Sequence, residues 1–187
     1  MAMIHQNLTA ILILCVNLIA SISYFIIYTR DNLKNAFSKL PVVVQKIYVA
    51  FFVLPLFTAP FFSDAKFADS NRLLLIAGSI LAIGGFALIV LSFLKIGVVP
   101  SIKSDGKLST TGAYSIVRHP IYFGTIVAQL GLSLANQALI SLIYLPLSII
   151  LYYLMASIEE KDLIIVFGNQ YLEFRKKTRG KVIPFIF

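Results

Sequence analysis

Two short polar clusters stand out in an otherwise apolar chain. The first runs Gly112-Ala113-Tyr114-Ser115-Ile116-Val117-Arg118-His119-Pro120-Ile121-Tyr122-Phe123-Gly124. It gathers a turn glycine, a guanidinium, an imidazole and a proline suited to the first turn of a helix. Free amides at such a helix start can meet an anion such as a carboxylate. The second begins at Glu159 and Glu160 and continues through Leu163, Ile164, Phe167, Gly168 and Tyr171. Its helical spacing puts a carboxylate, an apolar wall and a phenol on one face, which suits a cationic, partly aromatic ligand. Each cluster also has a plainer use. The first can be a basic segment leading into a membrane helix, and the second an interfacial helix whose glutamates pair with nearby lysines or arginines.

The elements that must position these clusters are membrane spans. The 187 residues are 59% hydrophobic and only 13% charged, too apolar for a soluble surface. A hydrocarbon core of about 30 Å takes roughly 20 apolar residues in a helix. Runs of that kind cover Leu8–Tyr28, Val42–Phe62, Leu73–Leu94 and Ala138–Ile158, and a shorter one covers Ile121–Ala135. The opening residues before the first run carry no Lys or Arg, so that run reads as a retained helix and not a signal peptide. Pro55 and Pro60 should bend the second span. Gly78, Gly84 and Gly85 should let the third approach a neighbour closely. Asn136 and Gln137 divide the last two runs into a helical hairpin, followed by a charged tail helix from Glu159. The expectation is an all-α, polytopic integral membrane protein of about five transmembrane helices. It forms one membrane domain, 1–187, with three N-terminal helices in 1–94 and a loop, hairpin and tail helix in 95–187.

Charge placement bears on the same count. Alternating the loops puts Arg30, Lys34, Lys39, Lys46, Lys95, Lys103, Lys107, Arg118 and six basic tail residues on one side, and only Lys66 and Arg72 on the other. Positive-inside asymmetry then predicts an outside N-terminus and a cytoplasmic C-terminus, in the plasma (inner) membrane if the source is prokaryotic. It also accounts for the formal charge of +8 without nucleic acid. The single cysteine, Cys15, can build neither an intramolecular disulfide nor a multi-cysteine metal site, and no metal is expected. The two crossings of the last hairpin return the chain to the side of Arg118 and His119, so Glu159 and Glu160 become their neighbours at a membrane edge.

The joint pattern G-x-Y-x-x-x-R-H-P-x-Y-x-G and E-E-x-x-L-x-x-x-F-G-x-x-Y resembles the isoprenylcysteine carboxyl methyltransferase and phospholipid methyltransferase superfamily. The likeness covers roughly residues 104–184. It implies S-adenosylmethionine as methyl donor, a membrane core of five or so helices, and a cofactor pocket made by the final hairpin and C-terminal helix. Tyr114, Arg118, His119, Pro120 and Tyr122 match the first motif, and Glu159, Glu160, Leu163, Phe167, Gly168 and Tyr171 the second. The resemblance implies that these positions bind the cofactor; the chemistry of the side chains assigns the roles within the set, Glu160 or Glu159 to the donor's amino group or ribose, Arg118 and His119 to its carboxylate, and Tyr122 and Tyr171 to the adenine or the sulfonium. His119, Arg118 and Glu160 are the candidates for any catalytic role. Met155 stands where relatives acting on prenylcysteine often carry arginine, which points away from that carboxylate. The expected acceptor is lipid-like or membrane-partitioned and reaches the site from the bilayer. The alternatives are an NADPH-dependent membrane reductase of the sterol-reductase type and a noncatalytic membrane protein.

Overall fold

The computed structural model describes residues 2–96 and 108–184. Lys103, Lys107 and most of the expected cofactor-binding loop lie outside the described residues. Seven α-helices follow in order: α1 Ala2–Tyr28, α2 Asp31–Ser38, α3 Val42–Thr58, α4 Arg72–Ile96, α5 Pro120–Ala135, α6 Leu139–Phe167 and α7 Asn169–Lys177. Short 3-10 turns at Ala59–Phe62 and Gly112–Ser115 complete the described secondary structure. Helices α1, α3 with its 3-10 extension, α4 and α6 are long and apolar enough to cross a membrane. With 16 residues, α5 is shorter, at about 24 Å for a rise of 1.5 Å per residue.

Contacts at the two ends fix the topology. At one end Asn7 Oδ1 accepts from the amides of Asp64 (2.9 Å) and Ala65 (2.8 Å), and Lys66 Nζ donates to the Asn136 carbonyl at 2.9 Å. At the other, Lys34 of α2 pairs with Asp162 of α6, and Lys95 of α4 donates to Thr111 just before the 3-10 turn. The start of α5 joins the far part of α6 there through Arg118 and Glu160. The chain therefore traverses the bundle five times, with α5 completing its passage despite its length, as an all-α polytopic architecture requires.

The depth of α5 is set by α4. Along this antiparallel pair, Gly78, Ala82 and Gly85 meet Gly124, Ala128, Gly131 and Ala135 at backbone contact. A Cβ placed on Gly85 would lie 2.5 Å from the Ala128 nitrogen and 2.6 Å from the Gly124 carbonyl oxygen. Gly84, one residue earlier, faces open space. Small residues suit an interface where apolar burial offers little advantage over lipid and close backbone contact supplies the attraction.

A second cross-tie lies inside the bundle. Pro55 has no amide to donate, which weakens the hydrogen-bond ladder of α3. The nearby Phe52 carbonyl receives Asn17 Nδ2 from α1 (2.6 Å) and the Tyr152 hydroxyl from α6 (3.3 Å), while Tyr144 donates to Asn17 Oδ1 at 2.8 Å. Three helices are thus pinned around one backbone group that has no water to bond with.

The end of α6 differs from expectation. The helix does not stop near Ile158 but runs on through Glu159, Glu160 and Lys161 to Phe167, because good helix formers follow without a breaker. Gly168, at φ +52°, supplies the break, a backbone geometry that side chains disfavour. The expected tail helix is therefore the last part of α6 plus the separate α7. The α4–α5 seam predicts a sharp contrast. Gly85→Ala should lose about 1–3 kcal/mol of stability through overpacking, whereas Gly84→Ala should be neutral or gain up to about 1 kcal/mol; thermal unfolding in detergent compares them directly.

Candidate active site

Arg118 is positioned by backbone and side chain together. The tail after α7 turns back along the segment before α5. The Arg118 amide donates to the Gly180 carbonyl and the His119 amide to the Lys181 carbonyl, both at 2.9 Å. The Arg118 guanidinium donates through Nη1 to the carbonyls of Thr178 (2.7 Å) and Arg179 (2.6 Å), and through Nε to Glu160 Oε1 at 2.6 Å. With side-chain exposures of 4% and 6%, Arg118 and Glu160 form a buried, charge-assisted pair. Lys181 adds a weaker contact to Glu160 at 3.9 Å and donates to Ser157 Oγ at 2.9 Å. Val182 beyond it is buried in the same core as Phe52 and Met155.

Pro120 begins α5, as expected for a proline at a first helical turn, and leaves His119 at the N-cap. The imidazole lies between the two glutamates, with Nδ1 3.4 Å from Glu159 Oε2 and Nε2 3.6 Å from Glu160 Oε1. Burial alone would lower its pKa, but the pull of Glu159 and Glu160 outweighs this and holds it above the ordinary value for histidine. Glu159 has the more open carboxylate, at 23% side-chain exposure. Its Oε1 accepts from the Tyr122 hydroxyl one turn into α5, and from the Tyr24 hydroxyl of α1 at 3.2 Å.

These groups border one cavity of about 600 Å³. Tyr114, Arg118, His119, Pro120, Tyr122, Glu159, Leu163, Phe167 and Tyr171 all line it, while Glu160 sits behind its wall holding Arg118. Both motifs therefore converge on a shared space. Tyr114, Tyr171 and Phe174 pack together with Leu108, Leu163, Ile164 and Phe167 at one end. Although Gly168 interrupts the helix, Tyr171 remains close to the Glu160 face, fully buried. Burial raises the Tyr114 and Tyr171 hydroxyls above the usual phenol value.

Another part of the lining comes from residues that the motifs did not mark. Tyr24, Tyr28, Phe37, Tyr48 and Phe52 line the cavity and close on one another in a ring of contacts. Centroid separations are 4.2 Å for Tyr24–Tyr28, 6.0 Å for Tyr28–Phe37, 5.0 Å for Phe37–Tyr48, 5.1 Å for Tyr48–Phe52 and 5.8 Å for Phe52–Tyr24. On the motif side, His119, Tyr122 and Tyr152 stack in a file at 5.7 and 4.8 Å. The available signal was four-residue spacing, Tyr24 to Tyr28 and Tyr48 to Phe52, which on its own is indistinguishable from packing or an interfacial aromatic belt.

The raised His119 gives a pH signature. A group whose folded pKa exceeds its unfolded value of about 6.5 contributes stability fully below that value and loses it as pH rises through the folded one. The thermal midpoint in detergent should therefore decline from about pH 6.5 upward, and His119→Asn should flatten that decline. Parallel profiles would contradict the assignment.

Comparison with known proteins adds a family. Over 86 residues, 46% of this chain and 31% of the relative, the sequence is 31% identical to the methanethiol S-methyltransferase of Pseudomonas deceptionensis. Over 92 residues, 45% of this chain and 35% of the relative, it is 35% identical to the protein-S-isoprenylcysteine O-methyltransferase of Saccharomyces cerevisiae. A methanethiol S-methyltransferase 1 of Bradyrhizobium diazoefficiens is 31% identical over 78 residues, 42% of this chain and 26% of that one. The matched stretches span about a third or less of these relatives' own lengths. The phospholipid methyltransferase family matches residues 73–170, from α4 to the start of α7, taking in the first cluster and all of the second but Tyr171. With more than half its length inside that match, together with the first polar motif and the second as far as Gly168, the chain belongs to the phospholipid methyltransferase family.

Proposed function

We propose that this chain is an S-adenosylmethionine-dependent methyltransferase acting on a lipid-like or membrane-partitioned acceptor at the cytoplasmic membrane face. The observation that carries the reading is the convergence of both motifs and the aromatic residues of α1–α3 on one cavity among apolar helices. Its volume, about 600 Å³, lies within the range of pockets that enclose cofactors and drug-sized ligands.

The residues suit S-adenosylmethionine. Among the described residues the buried Tyr114 and Tyr171 hydroxyls and His119 Nε2 lack a hydrogen-bond partner, and all three residues border the cavity. Buried polar atoms left this way are costly, and a polar ligand relieves them. They would hold the polar atoms of the bound donor, with Phe167, Leu163 and Phe174 walling its flat base. When bound, the donor supplies a methyl group on a cationic sulfur, delivered by in-line displacement. The chain's own part is to orient both reactants and exclude water. Arg118 and Glu160 act by fixing the walls that carry His119 and Glu159. Residues 95–187 would form the donor side and residues 1–94 the acceptor side of a single membrane domain. The orientation, N-terminus outside and C-terminus cytoplasmic, rests on the distribution of basic residues. It puts the donor end of the cavity toward the cytosol.

Calorimetric titration of the purified full-length chain with S-adenosylhomocysteine and, separately, NADPH tests the reading. We expect saturable S-adenosylhomocysteine binding, weakened about 3- to 10-fold by Tyr171→Phe, the loss of one hydrogen bond. NADPH binding without S-adenosylhomocysteine binding would overturn it in favour of a reductase.

A further inference from the structure

We infer that Tyr24 of α1, outside the family match, completes with Glu159 and Tyr122 a subsite for a sulfonium cation. The inference rests on the methyltransferase reading and specifies where in the cavity the reacting end of the donor belongs.

The argument begins with the saturation of one oxygen. Glu159 Oε1 accepts from two phenols at once, Tyr122 on α5 and Tyr24 on α1, while Oε2 faces His119. An ammonium group needs free acceptors for its three N–H bonds, and this carboxylate has little acceptor capacity left on its Oε1 side. A sulfonium donates no N–H or O–H bond. It is attracted by charge and by aromatic faces, both of which a saturated carboxylate among rings can supply. Glu160 is the unsuitable member of the pair, since its charge is committed to Arg118 behind the wall.

The surroundings agree. Tyr122 and Tyr152 are stacked and line the cavity, and Tyr24 reaches the same carboxylate with its ring edge-on to Phe52. Tyr24 stands where the motif end of the cavity meets the aromatic residues of α1–α3. A methyl group leaving sulfur here would face the acceptor end directly. Tyr24 is itself buried, and its hydroxyl hydrogen bond ties α1 to the motif 135 residues away. Its aromatic ring is thus held by a partner that the reaction needs in place.

S-adenosylmethionine and S-adenosylhomocysteine share the adenosine, amino and carboxylate groups and differ in the methyl group and positive charge on sulfur, so their affinity ratio isolates this subsite. Calorimetry on the full-length chain in detergent should show Glu159→Gln weakening S-adenosylmethionine about tenfold more than S-adenosylhomocysteine. Tyr24→Leu, which removes the ring, should shift the ratio in the same direction by about threefold. Thermal midpoints confirm that each variant is folded. Equal weakening of both ligands by Glu159→Gln would overturn the proposal, placing Glu159 against a part common to the two. An unchanged ratio in Tyr24→Leu would remove Tyr24 from the subsite. If the wild type binds neither ligand, the methyltransferase reading itself fails.

Discussion

The structure depends on a buried ion pair. Arg118 and Glu160 lie out of water, where an unpartnered charge would carry a large desolvation penalty. Their mutual contact offsets part of that cost. The rest falls to the backbone, because the guanidinium also requires acceptors for Nη1 and finds them in the carbonyls of Thr178 and Arg179. The pair therefore closes only when α5, α6 and the returning tail are all in place. Such a pair need add no stability over an apolar replacement, but it admits few alternative geometries, and that selectivity is what a site on three separate segments needs.

From this pair the site follows by adjacency. His119 is the next residue along from Arg118, and Glu159 the one before Glu160, so fixing the buried partners aims the more open ones into the cavity. Tyr122 follows one helical turn after His119 and reaches Glu159. The α4–α5 glycine seam sets how deeply α5 sits, and the tie at the Phe52 carbonyl holds α1 and α3 against α6. Together they bring the aromatic ring of α1–α3 up to the carboxylate that the motifs supply.

Much of this was legible in the sequence because the relevant signals were chemical or topological. Apolar run lengths marked the crossings, and the even number of them between Pro120 and Glu159, the two of the hairpin, was enough to make the motifs neighbours. Pro120 marked the start of α5. Gly78, Gly84 and Gly85 announced close helix contact, which holds at Gly78 and Gly85 but not at Gly84, and they did not announce that α5 would be the partner. Three features were not legible. The run through Glu159–Phe167 has the same helical pattern whether it prolongs α6 or starts anew, and only the backbone of Gly168 decides. The return of Thr178–Val182 depends on long-range bonds to Arg118 that leave no local periodicity. Tyr24, Tyr28, Tyr48 and Phe52 looked like ordinary membrane aromatics, since their common cavity exists only once α1 and α3 are packed.

The most direct test of the central claim is a double-mutant cycle on Arg118 and Glu160, read by reversible unfolding of the full-length chain in detergent. If the pair is the buried latch described, Arg118→Met and Glu160→Leu should each lose about 3–5 kcal/mol by stranding the other charge, and the double variant should lose no more than either alone. Additive losses would contradict the account, because two groups that act independently cannot be the joint on which the tail, α5 and α6 all close.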